Sequence, residues 1–163
     1  MNNQFFGKIE KFNVLIENKQ GTKNKYEYDS EAEAMRLDFV FSDGLVWPYN
    51  YGEILGTLGG DGDKLDAIVL STEPIDSGVV VACRAIGMEE VLDRGEEDNK
   101  IICIPVVDRG MAKILDFADL DKAWAKTFVD FLSEIAKQKN KTMEVLGFVG
   151  KEKTEEYIQK AVL

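Results

Sequence analysis

The sequence predicts an α+β fold, a small β-barrel with helices packed against it. Three observations carry this expectation. Six or more short runs have the apolar content or alternation of strands. The period then changes to a helical one after Asp119. Only one long helical pattern follows, so the strands must cover one another rather than alternate with helices in a parallel α/β sheet.

In chain order, Phe12 to Glu17 reads as a strand and Asn18 to Asn24 as a polar, lysine-rich turn. Lys25 to Tyr28 reads as a second strand. Ala34 to Phe41 alternates, with Met35, Leu37, Phe39 and Phe41 expected on one face and Arg36 and Asp38 on the other. Trp47 to Leu70 reads as loop, glycine-rich turn, acidic cluster and then a buried strand from Asp66. Val79 to Ile86, extended by Met88 to Leu92, and Ile101 to Val107 are near-continuous apolar runs, as in strands buried on both faces. Leu120, Trp124, Phe128, Phe131 and Ile135 then recur at helical spacing and predict a core-packing helix. Lys137, Lys139 and Lys141 gather near its end, where the helix dipole favours cations. Met143 to Val149 reads as a last strand and Glu152 to Val162 as a terminal helix.

The 163 residues are expected to form a single domain, 1–163. A net charge of −10 argues against nucleic acid or an anionic membrane as partner. There is no histidine, which removes the usual general base, the usual zinc ligand and every Ser-His or Cys-His pair. Acid–base work falls to carboxylate, lysine, tyrosine or a metal-bound water. Cys83 and Cys103 lie in apolar runs and read as buried free thiols. With no leader pattern and no apolar run approaching about 18 residues, a reducing cytoplasm is the expected compartment.

The chemistry concentrates in WPYNYGEILGTLGGDGDKLDAIVL, Trp47 to Leu70, which holds Asp61, Asp63 and Asp66 just before a strand. Two unit charges 4 Å apart cost on the order of 4 kcal/mol at an effective dielectric of about 20. Converging carboxylates therefore need a cation, and an all-oxygen site suits Mg²⁺, Mn²⁺ or Ca²⁺. The plainer alternative is a polar turn whose aspartates point into water. A helix–loop–helix calcium loop started at Asp61 fails, because Asp66 falls where glycine is required and Thr72 where the bidentate glutamate belongs.

WPYNYG followed by DGDKLDAIVL resembles the signature of the soluble family I inorganic pyrophosphatases, tyrosine-proline-x-asparagine-tyrosine-glycine and then Asp-Gly-Asp-Pro-Leu/Val-Asp. Glu17 followed by Lys25-Tyr26-Glu27 resembles the family's early Glu and Lys-x-Glu, one residue shorter. Asp93, Asp98 and Lys100 have the spacing of its acidic loop. The resemblance covers nearly the whole chain. It implies a five-stranded OB-like barrel with flanking helices, and Mg²⁺-dependent hydrolysis of pyrophosphate, with Mn²⁺ a possible substitute. It implies that Asp61, Asp66, Asp93 and Asp98 hold metal, with Glu17 and Glu27 acting through bound water. It makes Asp63 the carboxylate that helps deprotonate the attacking water, and places Lys25, Tyr51 and Lys100 on phosphate oxygens. Similarity to the short bacterial enzymes implies a homo-oligomer, a hexamer.

The chain departs from the family pattern at four places. Phe39 stands where the family has Arg, Trp47 replaces the first Tyr, and Lys64 replaces a Pro. Glu134-Ile135 falls on the family's Tyr-Lys pair. A charge-assisted hydrogen bond contributes roughly 1.5–3 kcal/mol, so losing an Arg, a Tyr and a Lys unreplaced would cost about 10³- to 10⁶-fold in rate. Lys64, inside the acidic cluster, is the expected replacement cation. Three readings stay open at this point: a pyrophosphatase, a hydrolase of an organic phosphoanhydride with Phe39 and Trp47 as a stacking wall, or a catalytically weak metal-binding or interaction protein.

Overall fold

The computed structural model describes residues 5–163. Ten strands and two α-helices follow in order: β1 (Gly7–Lys8), β2 (Lys11–Asn18), β3 (Asn24–Asp29), β4 (Ala34–Val40), β5 (Asn50–Ile54), β6 (Asp66–Val69), β7 (Val80–Asp93), β8 (Glu96–Glu97), β9 (Lys100–Pro105), α1 (Ala123–Gln138), β10 (Met143–Gly150) and α2 (Lys151–Ala161). Five strands close a barrel in the order β2-β5-β6-β9-β7, with β7 returning to β2. Closure depends on the 14 residues of β7: Val80–Cys83 pair with β2, Cys83–Glu89 with β9, and Gly87–Asp93 with β10.

Alternation along each strand divides the core in two. Phe12, Val14, Ile16, Ala67, Val69, Ile101 and Cys103 fill the barrel, joined by Ile158 of α2. Ile68, Ile102, Ile104 and Ile86 point outward and are covered by Phe128, Phe131 and Ile135 of α1. This double burial is why β6, β7 and β9 read as unbroken apolar runs. Covering Phe128 and Phe131 contributes about 1.5–3 kcal/mol each. Both cysteines are buried and free.

Two expectations are corrected. Asn50–Ile54, read as loop, is a barrel strand, and its inward positions include Asn50 and Gly52, which carry no apolar signal. The second correction concerns β4, which pairs only with β3 in a separate two-stranded sheet. Its partners are Lys25↔Phe39 but Tyr26↔Leu37, so a bulge at Asp38 breaks the alternation. Phe39 therefore shares a face with Arg36, Lys25 and Glu27, not with Leu37 and Met35. Leu37 is 53% exposed.

Candidate active site

The signature stretch is first a piece of construction. Asn50 is fully buried: its amide donates to Val69 O (3.1 Å) and Ser71 Oγ (2.8 Å), and its oxygen accepts from the N–H groups of Gln20 and Ile75. Gly52 passes so close to β2 that a Cβ would lie 1.9 Å from Leu15 O, which only glycine tolerates. Trp47 is buried, donates from Nε1 to Asn24 O (2.9 Å), and stacks on Tyr51 at 5.0 Å. In the turn that follows, Gly62 takes φ +89° and the Asp61 carboxylate accepts from the Asp63 N–H at 3.0 Å.

The strands then converge on one point. β6 and β9 run parallel, and their register sets Asp66 beside Lys100. Lys100 Nζ donates to Asp66 Oδ2 and Asp98 Oδ2, both at 2.8 Å, and lies 5.6 Å from the Tyr51 ring centre. Antiparallel pairing puts Glu53 opposite Asp66. The β3–β4 hairpin is tied to the barrel by Asn18, whose side chain brackets Tyr26 N–H and C=O, and by Glu17, which accepts from the Tyr28 N–H at 2.9 Å. Glu17, Lys25, Glu27, Tyr51, Asp61, Asp63, Lys64, Asp66, Asp93, Asp98 and Lys100 all line one cavity of about 730 Å³.

Among the described residues, no three acidic side chains converge closely enough to ligate one ion. Cationic side chains stand among them instead. Lys100 holds Asp66 and Asp98, while Lys141 (2.7 Å) and Arg94 (3.1 Å) hold Asp93. Burial and the nearby charge of Asp66 push Asp98 up to about 6, against the pull of Lys100. Burial would also raise Asp66, but the Lys100 charge and hydrogen bond hold it below the usual carboxylate range. Burial raises Glu17 to about 7, with Glu53, Asp66 and Glu27 adding repulsion against the Tyr28 hydrogen bond. The donors are all carboxylate oxygens and their charge is in excess, so they fit a hard divalent cation.

Sequence reasoning missed Lys139 and Lys141 as residues of the site, because the helix dipole alone accounts for lysines at that point of the chain. The chain turns back after α1 through Asn140 at φ +52°, and both lysines line the cavity. Lys139 Nζ lies 5.6 Å from the Phe39 ring centre and 3.7 Å from Asp38 Oδ2, which also accepts from Lys25 at 2.9 Å. The alternation Lys137-x-Lys139-x-Lys141 was the available signal, since such spacing does not keep one face of a helix. Apolar residues also line the cavity, Phe131, Leu132 and Ile135 together with Trp47. Glu134 bonds Gln138 instead, at 3.3 Å. Lys64 makes only a 3.7 Å contact with Glu53.

A family model described as inorganic pyrophosphatase matches residues 14–163. The chain belongs to the inorganic pyrophosphatase family. An inorganic pyrophosphatase of Thermoplasma volcanium is 38% identical over 159 residues, 94% of this chain and 93% of the relative. One of Synechocystis is 38% identical over 136 residues, 83% of this chain and 80% of the relative. The structure of an inorganic pyrophosphatase from Coxiella burnetii has a TM-score of 0.91 at 32% identity, covering 96% of both chains. The family's closed five-stranded barrel with two helices is the fold described above. Among the described residues, no helix is long and apolar enough to cross a membrane.

One buried group beside the pyrophosphatase-like site sets a pH dependence. Glu89 on β7 pairs across strands with Lys100, is fully buried, and has no hydrogen-bond partner for either carboxylate oxygen; the buried Tyr49 hydroxyl also lacks one. Burial pushes Glu89 up to about 7, against the pull of Lys100. The folded chain thus holds a proton that the unfolded chain releases near pH 4.5. Its contribution to stability is complete below pH 4.5 and is lost as pH rises through about 7. Glu89→Gln, uncharged throughout, is expected to exceed the parent at pH 8 by on the order of 3 kcal/mol, with no gain at pH 4. Urea unfolding of metal-free protein at the two pH values checks this, and an equal difference at both would contradict it.

Proposed function

We propose that this protein hydrolyses inorganic pyrophosphate to two phosphates with Mg²⁺ as cofactor, Mn²⁺ being a possible substitute. The observation that carries the reading is the two-sided cavity: carboxylates at the starts of β6 and β9 along one part, Lys25, Lys139 and Lys141 along another. Pyrophosphate is a multiply charged anion, and water attacks it only when that charge is neutralised. Divalent ions held by Asp61, Asp66, Asp93 and Asp98, with Glu17 and Glu27 outside them, would neutralise the phosphates and acidify the attacking water. With Asp66 and Asp98 so engaged, Lys100 is left to donate to a phosphate oxygen, beside Tyr51. Asp63, at the exposed lip, takes the proton of the attacking water. Trp47, only 2% exposed and packed against Tyr51 and Phe131, offers little face to an organic group, and Lys139 sits over the Phe39 ring, which favours pyrophosphate over the organic phosphoanhydride.

The reading includes a single pyrophosphatase-like domain over residues 1–163. It also includes a cytoplasmic setting, supported by the two buried free thiols, and a homo-oligomer, a hexamer, on the strength of the family resemblance. The net charge of −10 supports the absence of a nucleic-acid partner. Phosphate release from pyrophosphate with Mg²⁺, compared with a panel of nucleotides, tests the proposal. Turnover of nucleotides alone, or of nothing, would reject it.

Cation binding has its own readout. A ligand at a hundredfold excess over its Kd stabilises by about 2.7 kcal/mol, or roughly 5–10 °C in Tm for a chain of this size. Millimolar Mg²⁺ or Mn²⁺ is therefore expected to raise the Tm, and Asp66→Asn to remove most of the rise. An unchanged parental Tm would defeat the metal assignment.

A further inference from the structure

We infer that Lys139 is a substrate-binding residue, the cation that takes a phosphate oxygen in place of the arginine this chain lacks at position 39. The inference deepens the proposed function and rests on it for the identity of the ligand. The lysines of this part of the cavity are unequally satisfied. Lys25 is held by Glu27 at 2.6 Å and Asp38 at 2.9 Å, and Lys141 by Asp93 at 2.7 Å. Lys139 has only a 3.7 Å approach to Asp38, whose same oxygen already accepts from Lys25.

Two features hold this ammonium at the cavity rather than in open water. The Phe39 ring lies beneath it at 5.6 Å, a cation–π seat on the residue that stands where the family has arginine. The backbone just past α1 is fixed, with the Lys139 N–H donating to Ile135 O at 2.9 Å and the Lys141 N–H to Ala136 O at 3.0 Å. The Lys139 side chain is 25% exposed, so water screens it incompletely. Partial burial, with Lys25 and Lys141 close by, pushes its pKa down; Asp38 pulls the other way. A half-buried cation crowded by cations and short of a carboxylate is a seat for an anion. Lys64 has the same 3.7 Å approach to a carboxylate, that of Glu53, but its side chain is 39% exposed and, among the described residues, no aromatic ring seats it.

The competing view is that Lys139 serves only the dipole of α1. Lys137, exposed in the last turn of that helix, serves as the comparison. Lys139→Gln is expected to lower kcat/KM for pyrophosphate about 10- to 100-fold, and to weaken binding of the non-hydrolysable analogue methylenediphosphonate by about tenfold. Lys139→Arg should recover most of both, and Lys137→Gln should leave both within about twofold. Phe39→Arg added to Lys139→Gln should restore part of the loss, because the new guanidinium enters the same face of β4. Melting curves accompany each variant, and if glutamine unfolds the end of α1, Lys139→Met against Lys139→Arg makes the same comparison. A folded Lys139→Gln protein with kcat/KM and analogue affinity both within twofold of the parent overturns the inference. A parent that binds the analogue but does not turn over pyrophosphate rejects the proposed reaction instead, and analogue affinity still decides the role of Lys139.

Discussion

Asp63→Asn is expected to lower kcat on pyrophosphate by roughly 10²- to 10⁴-fold while leaving metal affinity nearly unchanged. Asp61 and Asp63 share one turn, but the turn treats them differently. The Asp61 carboxylate is fixed by the Asp63 N–H and lines the pocket floored by Asp66 and Asp98. Both are exposed, but Asp63 lines only the larger cavity. Removing its charge deletes a proton acceptor and leaves the buried carboxylates in place. Calorimetry with Mg²⁺ beside steady-state kinetics separates the two roles. Equal loss of metal affinity in Asp61→Asn and Asp63→Asn would contradict the division.

Lys100→Met is expected to be the most damaging single change to the metal-free fold, costing about 3–5 kcal/mol at pH 8. The side chain is only 6% exposed, and its ammonium is the counter-charge for Asp66 and Asp98, with Glu89 opposite on β7. Methionine fills the same space but leaves those carboxylates facing one another in a poorly solvated place. The loss should shrink at pH 5, below the value of about 6 that Asp98 has even with Lys100 present, because a protonated Asp98 no longer repels Asp66. Mg²⁺ should restore part of the loss, since a cation replaces a cation. Urea unfolding at both pH values, with and without Mg²⁺, checks the prediction. A cost below about 1 kcal/mol at pH 8 would mean that Lys100 does not hold the carboxylates in balance.

What could be read in advance followed the strength of the hydropathy signal. β7, β9 and α1 were legible because Ile101 to Ile104 are buried on both faces and Phe128, Phe131 and Ile135 repeat at helical spacing. β5 was not, because two of the three buried members of its alternation are Asn50 and Gly52, chosen for hydrogen bonding and close approach, and Ile54 alone makes no pattern. The face of Phe39 was misread because one bulged residue reverses the parity of everything beyond it. Motif spacing brought all the candidate residues to one cavity. It could not reveal that Lys100 stands between Asp66 and Asp98, since that contact needs a parallel pairing of segments with no local signature. Lys139 and Lys141 stayed hidden because their position depends on the reversal of the chain at Asn140.

That parallel pairing has a consequence for how the protein comes into being. Parallel strands cannot be joined by a hairpin, and here Asp66 and Lys100 are 34 positions apart, with the whole of β7 between them. On a ribosome, the acidic turn and β6 emerge first and wait for their counter-charge until β9 has been made. During that interval Asp66 is a carboxylate at the rim of an unclosed barrel, and Lys64 two residues before it and the cell's free divalent ions are the cations within reach. The seam that closes the barrel and the delivery of a counter-charge to Asp66 are therefore one event in synthesis, and a chain stalled before Lys100 has neither.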